Sequence, residues 1–358
     1  MNIKSEFKHR VDEKRYLDAI DAANFLADNF IKNGRYYVDE SWGPEGILYL
    51  AESSWALMDC YRIFGIKKHL DGVIAILNEI KSLQKLNGGW SIDLGESGTR
   101  FSITEEQRAD SSKYVDPPTT AAFLRTIAEY QVLTGDESYY SIGDKAFRYL
   151  IELWDPVERT FVDKTQRKLL GLRSNPSSYH LFFLLGVHAW KQFQPEKLSG
   201  IYHTLLSFVK DNYESFDEHT MPLITALHAS VLIDHCDMEY IKNVIKPRID
   251  QNLVNNKVFS VPSVPGGYGH RDGLRGIVTT EVHLRSCAGI AISMKQYDLA
   301  TGTNIYRNSE RYKEIESWID KMKGEGFFYE FEDCTDGKRI GYGSPGQYLP
   351  CWWILGKV

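Results

Sequence analysis

Apolar residues recur every three or four positions along nearly all of the chain, the spacing of one buried face of an α-helix. Strand-like alternation is scarce and confined to the connections between these stretches. The pattern predicts twelve helices, at residues 15–32, 45–64, 67–85, 118–134, 137–153, 177–193, 195–213, 220–235, 237–253, 279–301, 307–323 and 345–356. We therefore expect an all-α protein.

The connections between the predicted helices alternate between short and long. Gly65, Gly135 and Gly302 each lie just beyond a predicted helix, where glycine supplies the left-handed C-cap that stops a helix, and a short turn follows. The short turns recur about every 60 residues, the chain length of 358 divided by six, and such a period indicates repeated helical hairpins. We predict one domain, residues 1–358, built as an (α/α)6 toroid of six hairpins.

Short turns join antiparallel neighbours, so the long connections should gather at one end of the ring. The helix after each long connection is then the inner one, and its first turn presents free N–H groups to the central hollow. Small residues on these helices allow the backbones to approach closely: Ser53, Ser54, Ala56, Thr119, Thr120, Ala121, Ala122, Ala226, Ala229, Ser230, Ala288, Gly289 and Ala291. The sequence therefore predicts a site at the starts of the inner helices.

Composition narrows the class of protein. A chain that is 43% hydrophobic and 25% charged is typical of a globular domain. The formal net charge of −6 argues against a nucleic-acid partner, because phosphate binding needs an excess of Lys and Arg. No apolar run approaches the roughly 20 residues of a transmembrane helix. The charged first residues and five cysteines without a CxxC motif favour a cytoplasmic protein with free thiols.

The segment Gln84-Lys85-Leu86-Asn87-Gly88-Gly89-Trp90 ends one predicted outer helix. It resembles the Q-x3-G-x-W repeat of squalene–hopene cyclase and other terpenoid cyclases, whose toroid superfamily includes the protein prenyltransferase β-subunits. The resemblance implies acid-initiated carbocation chemistry in a central cavity, and an aromatic content of 13% suits a cation. The D-x-D-D acid, the diphosphate-binding D-D-x-x-D and the Asp, Cys and His ligands of the prenyltransferase zinc have no clear match here.

A second resemblance points to carbohydrate chemistry. The segment from Asp116 to Leu150 combines an acid, two threonines, a helix, Thr-Gly-Asp and Tyr-Tyr. It is similar to segments of pectate-lyase and glycoside-hydrolase toroids of the six-hairpin type. This resemblance implies a polysaccharide lyase or a glycoside hydrolase.

The candidate catalytic residues are Asp116, Asp272, Glu281 and His283. Asp116 is a candidate cavity acid and a candidate cap of the helix that follows it, and the two roles are compatible. Asp272 lies in a glycine-rich stretch, with Glu281 and His283 just after it, and the three combine a base with acids. Glu281 and His283 are two apart, which does not place them on one face of the helix predicted at 279–301, so neither a metal nor a cofactor is expected.

The candidate binding residues are guanidiniums, an imidazole and aromatic rings: Trp42, Trp90, His270, Arg271, Arg275, Tyr342, Tyr348 and Trp352. Arginine forks suit a carboxylate, and aromatic faces suit either a sugar or a carbocation. Each aromatic residue is also an ordinary packing residue.

Three functions remain open at this point. The first is an isoprenoid cyclase that uses Asp116 in a deep apolar cavity. The second is a carbohydrate lyase or hydrolase that uses His270, Arg271, Asp272 and Glu281 in a polar cleft. The third is a non-catalytic binding toroid, in which Asp116, Glu281 and His283 share no contact. The expected ligand is a small molecule or an oligosaccharide.

Overall fold

A computed structural model describes residues 13–36, 46–91, 115–161, 179–215, 222–250, 260–261, 263–272, 276–278, 280–341 and 343–357. Most of these residues are helical, and no closed sheet is present among them. No helix in these segments is long and apolar enough to cross a lipid bilayer.

The described helices number twelve, as the hydrophobic pattern predicts. Eleven are continuous: α1 (Tyr16–Asn33), α2 (Leu48–Phe64), α3 (Lys67–Leu83), α4 (Pro117–Thr134), α5 (Tyr140–Leu153), α6 (Tyr179–Trp190), α7 (Pro195–Asn212), α8 (Pro222–His235), α10 (Leu284–Thr301), α11 (Glu310–Lys321) and α12 (Pro345–Leu355). The remaining helix, α9, consists of Met238–Tyr240, a π-helical turn at Ile241–Ile245, and Lys246–Arg248.

The helices form two concentric layers, which confirms the (α/α)6 toroid. The even-numbered helices form the inner layer, where α2 packs on α4, α4 on α6, α8 on α10, and α10 on α12. The ring is closed by α12, which packs on α2 and also against the outer helix α1. The inner helices are the ones that follow the long connections, as predicted.

The short turns end their helices through glycine. Gly65, Gly135 and Gly302 have φ angles of 69°, 73° and 66°, a region that residues with a Cβ rarely adopt. The N–H of Gly65 donates to Tyr61 O at 2.8 Å, and that of Gly135 donates to Gln131 O at 2.8 Å. These bonds satisfy carbonyls that a helix end leaves free. The predicted C-caps are therefore confirmed.

Small residues let the inner helices approach closely. A Cβ added at Gly186 of α6 would lie 2.3 Å from the carbonyl oxygen of Ala121 in α4. Hydroxyl groups also join neighbouring inner helices, because Ser54 Oγ lies 2.9 Å from Thr126 Oγ1. This packing brings the inner helices into one tight barrel.

One end of the barrel is closed by ion pairs. Asp59 pairs with Arg62 at 2.7 Å and with Lys357 at 3.2 Å, and Arg62 reaches Glu129 at 3.4 Å. Glu129 also pairs with Arg125 at 2.7 Å. These contacts tie the last described residue of the chain to α2 and α4 at the ends of the inner helices.

Short strands lie in the connections. They are β1 (Trp154–Asp155), β2 (Thr160–Phe161), β3 (His270–Asp272), β4 (Gly276–Val278), β5 (Glu281–His283), β6 (Phe331–Asp333) and β7 (Arg339–Ile340). Antiparallel pairs form between β1 and β2, β3 and β4, β5 and β6, and β6 and β7.

The strand β5 corrects the predicted helix at 279–301, which begins instead at Leu284. Glu281 pairs with Asp333 and His283 with Phe331 across the β5–β6 ladder. This pairing joins residues about 50 positions apart, so the local pattern does not contain it. The difference matters for the site, since residues two apart lie on the same face of a strand.

Candidate active site

The starts of the inner helices meet at the end of the barrel opposite the ion pairs. The hydroxyl group of Tyr348, in the first turn of α12, donates to Glu52 Oε2 in α2 at 2.7 Å. Arg285, at the start of α10, donates from Nη1 to Tyr49 Oη, in the first turn of α2, at 2.9 Å. Contacts between one helix start and another show that these inner helices run in the same direction. Their side chains form the candidate site.

Glu281 and His283 lie on the same face of β5 and contact each other. His283 Nε2 is 3.1 Å from Glu281 Oε2, and the imidazole stacks on Phe331 with ring centroids 5.1 Å apart and planes at 7°. Burial lowers the pKa of His283, although the hydrogen bond to Glu281 opposes this shift. The imidazole is therefore neutral near pH 7, oriented by a carboxylate and able to accept a proton.

Arg285, two residues after His283, contacts the carboxyl group of Glu330. Its Nη2 lies 3.5 Å from Glu330 Oε1, and its guanidinium carbon lies 5.2 Å from the ring centroid of Tyr49. Glu330 is 5% exposed, and its Oε2 has no hydrogen-bond partner in the described part of the chain. A Cβ added at Gly346, in the first turn of α12, would lie 3.1 Å from that oxygen. Because an unpaired buried carboxylate oxygen is costly, this atom is suited to a ligand donor.

Glu52, like Glu330, is a buried carboxyl group of the site. It is 6% exposed, and burial raises its pKa to about 7, although the hydrogen bond from Tyr348 and the charge of Arg285 both oppose this. Burial, followed by the charge of Glu52, also raises the pKa of Tyr348, so its hydroxyl keeps the proton that it donates. Glu52 can therefore both give and take a proton near neutral pH.

An aromatic layer separates this polar cluster from the ion pairs at the closed end. The Trp352 ring packs on Tyr348 at 4.8 Å between centroids and on Trp55 at 6.4 Å. Phe182 of α6 reaches Trp55 at 6.3 Å, and the Arg125 guanidinium lies 4.0 Å from the Trp55 centroid on the other side of the layer. Trp352 Nε1 is buried and has no partner within the described residues. The aromatic layer therefore lies directly next to the polar cluster, and the indole N–H of Trp352 is a hydrogen-bond donor within it.

Several candidate residues from the sequence meet here and others do not. The structure brings Glu281, His283, Tyr348 and Trp352 to the site. Asp116 caps α4, because its Oδ2 accepts from Thr119 N at 2.9 Å and from Thr119 Oγ1 at 2.5 Å. Burial raises the pKa of Asp116 although these bonds lower it. Among the contacts of the described residues, none joins Asp116 to the Glu281–His283 pair.

Trp90 is a packing residue. It is fully buried, and its Nε1 donates to Ile80 O at 2.6 Å, so no face of the indole is available for stacking on a ligand. Gln84 donates to Gly88 O and to Ile142 O, both at 2.8 Å. The Gln84 to Trp90 motif therefore closes an outer helix onto its neighbours.

The remaining predicted residues lie wholly or partly outside the described residues. Trp42, Arg275 and Tyr342 fall there completely. His270, Arg271 and Asp272 are described only as the backbone of β3, which pairs with β4 and contacts β5. Their roles stay predictions.

The sequence interpretation missed Tyr49, Glu52, Arg285 and Glu330. Glu52 carried a usable signal, since it is an acid beside the small residues that mark an inner helix. Arg285 follows Glu281 and His283 at a spacing of two, with the apolar Val282 and Leu284 between them, which is the alternation of a strand. The described residues contain no group of three side chains suited to a metal ion.

Solved structures of other proteins share the fold of this chain. No family model matches the sequence, and no curated protein matches it. The chain has the fold of six-hairpin α/α toroid enzymes. A D-mannose isomerase matches with a TM-score of 0.68 and 11% identity, covering 98% of this chain and 99% of that one. The cellobiose 2-epimerase from Bacillus thermoamylovorans B4167 matches at 0.64 and 10%, covering 95% and 98%.

The GH76A α-1,6-mannanase from Salegentibacter sp. HEL1_6 has the same fold, with a TM-score of 0.56, 11% identity, and coverage of 95% of this chain and 98% of that one. These structures show that the chain has the six-hairpin toroid fold, and they do not support the terpenoid cyclase type. The charged cluster at the helix starts also differs from the deep apolar cavity that a cyclase requires.

Proposed function

We propose that the protein is a carbohydrate-active enzyme that moves protons on a sugar, as an isomerase or an epimerase does. The observation that carries this proposal is the cluster of Glu52, Glu281, His283, Arg285 and Glu330 at the inner-helix starts. It combines a neutral imidazole, a carboxyl group with a pKa of about 7 and a guanidinium in contact with a carboxylate. These are the groups that general acid–base catalysis needs.

The proposed reaction begins at the carbon next to the carbonyl group of an open-chain sugar. His283, oriented by Glu281, takes the proton from that carbon, and Glu52 gives a proton to the carbonyl oxygen, which produces an enediol. The enediol then collapses as Glu52 takes back a hydroxyl proton and a carbon gains one. Protonation of the former carbonyl carbon, with loss of the proton from the hydroxyl on the adjacent carbon, gives the isomer. Protonation of the original carbon on its other face, with loss of the proton that Glu52 had added, gives the epimer. The structural neighbours named as an isomerase and an epimerase support this choice.

A glycoside hydrolase is the second candidate, because the site holds two carboxyl groups in different surroundings. Burial raises the pKa of Glu52 to about 7, which suits a general acid, while Glu330 contacts Arg285 at 3.5 Å and suits a carboxylate. Hydrolysis of a glycosidic bond uses one carboxyl group in each of these roles. The mannanase among the structural neighbours supports this alternative.

Incubation with sugars in heavy water separates the candidates. An isomerase or epimerase incorporates deuterium at the carbon next to the carbonyl of a reducing sugar, which proton NMR detects by loss of that signal. A hydrolase instead releases reducing ends from an oligosaccharide. We expect His283→Gln to reduce the exchange rate by about 100-fold or more, in keeping with loss of a general base. A variant that keeps its full rate would refute the role of His283, and neither exchange nor cleavage across the sugars tested would refute the proposed function.

A further inference from the structure

The charges around the candidate site are unequal. Among its described side chains, the carboxyl groups of Glu281 and Glu330 accompany one guanidinium, that of Arg285, and Glu52 adds a third carboxyl group that is charged above its pKa of about 7. The carboxyl groups lie in different elements, α2, β5 and the segment just before β6. An acidic ligand would therefore add its charge to a region that already has an excess of acidic groups.

The charge of Arg285 already faces a carboxylate of the protein. Its Nη1 donates to Tyr49 Oη at 2.9 Å, and its Nη2 faces Glu330 Oε1 at 3.5 Å. Its buried Nε has no partner among the described residues, so the guanidinium keeps unused N–H groups. A ligand carboxylate would have to share the guanidinium with Glu330 and would face the like charge of that side chain, which weakens its binding.

The second carboxylate oxygen of Glu330, Oε2, can accept a hydrogen bond from a ligand. Its Oε2 is buried, lacks a partner among the described residues, and lies near the start of α12 at Gly346. A carboxylate oxygen only accepts hydrogen bonds, so the matching ligand group is a hydroxyl or an N–H. A sugar hydroxyl fits this requirement, whereas the carboxylate of a uronic acid does not.

We propose that the site selects uncharged sugars and rejects uronic acids, and that Glu330 enforces this selection by balancing the charge of Arg285 and by accepting a hydrogen bond from a sugar hydroxyl. The inference rests on the proposed function and adds the substrate class to it. Glu330 is thus a specificity residue as well as a part of the acid–base cluster.

The experiment compares ligands of equal size and different charge. The full-length protein is titrated by calorimetry with D-glucuronamide and D-glucuronate, and with D-mannuronamide and D-mannuronate, together with D-glucose and D-mannose as unmodified sugars. Glu330→Gln and Glu281→Gln remove one charge each and keep the side-chain size. Glu314→Gln, on the exposed surface of α11, is the matched control.

We expect the wild-type protein to bind an amide at least tenfold more tightly than the corresponding acid. Glu330→Gln should reduce that ratio at least threefold, because it leaves Arg285 available to the acid, and Glu314→Gln should leave the ratio unchanged. Should Glu330→Gln fail to fold, Glu281→Gln should still reduce the ratio. An acid that binds the wild-type protein as tightly as its amide would overturn the charge selection alone. Binding of none of the sugars would count against the proposed function itself.

Discussion

Replacing Glu52 by glutamine measures what the buried carboxyl group at the start of α2 does to stability. Glu52 is 6% exposed and accepts from the Tyr348 hydroxyl at 2.7 Å. Glutamine has nearly the same size and keeps an oxygen that can accept the same hydrogen bond. The substitution therefore removes the ionisation of the side chain while largely preserving its packing.

The size of the effect follows from the pKa of Glu52. Burial raises it from an ordinary 4.5 to about 7, against the opposing effects of Tyr348 and Arg285. The stabilising contribution is fully present below pH 4.5 and is lost as the pH rises through about 7, because the unfolded chain releases the proton first. Each unit of pKa difference corresponds to about 1.4 kcal/mol, so the full loss is about 3 kcal/mol. A glutamine side chain does not titrate, so Glu52→Gln should gain about 2–3 kcal/mol relative to wild type between about pH 5 and pH 8.

Urea unfolding followed by far-UV circular dichroism gives the free energy of unfolding of both proteins at several pH values. Other titrating groups are common to the two proteins, so they cancel in the difference. Glu314→Gln, which changes an exposed side chain of α11, should show a difference that is small and nearly independent of pH. If the difference between Glu52→Gln and wild type does not grow with pH, the buried carboxyl group ionises without cost, and its assignment as a proton donor near neutral pH is wrong.

Two further pairs of variants test the packing of the ring and the role of the α4 cap. Gly186→Ala should destabilise the protein by about 2 kcal/mol in urea unfolding, because its Cβ would meet Ala121 O at 2.3 Å. Gly200→Ala in α7 should instead stabilise the protein by about 0.5–1 kcal/mol, because a Cβ added there would have no atom within 4 Å. Equal effects would contradict the close approach of α4 and α6. Asp116→Asn should retain the cap and the rate of deuterium exchange into the sugar, whereas Asp116→Ala should lose about 1 kcal/mol of stability. Loss of exchange in a stable Asp116→Asn variant would show that Asp116 acts as a catalytic acid as well as a cap.

The helices and their order could be predicted because each depends on local patterns. The 3.6-residue spacing of apolar residues and the glycines after Tyr61 and Tyr130 act within one or two turns of chain. The alternation of short and long connections then indicates which helix of each pair is inner. These patterns predict the toroid, which the structure confirms, and they predict a site at the starts of the inner helices, where the candidate cluster lies.

The sequence predicts only some of the residues that form the candidate site. The residue types of Glu281 and His283 mark them as candidates, but the local pattern predicts a helix there, which would turn the two side chains apart, whereas the structure has a strand. Trp90 and Asp116 carried equally suggestive residue types, and the structure gives them packing and capping contacts. A residue type shows what a side chain can do, while its neighbours decide whether it does so.

The sequence by itself determined the number of helices, the positions of the turns and the layering of the ring, because hydrophobic spacing and glycine caps act over short stretches of chain. Only the tertiary structure decided that β5 pairs with β6, and that Glu52 meets Tyr348 across 296 positions. The first contact joins neighbouring hairpins and the second depends on closing the ring, and no local pattern records either separation. The chemistry of the site is therefore a property of the closed toroid rather than of any one segment.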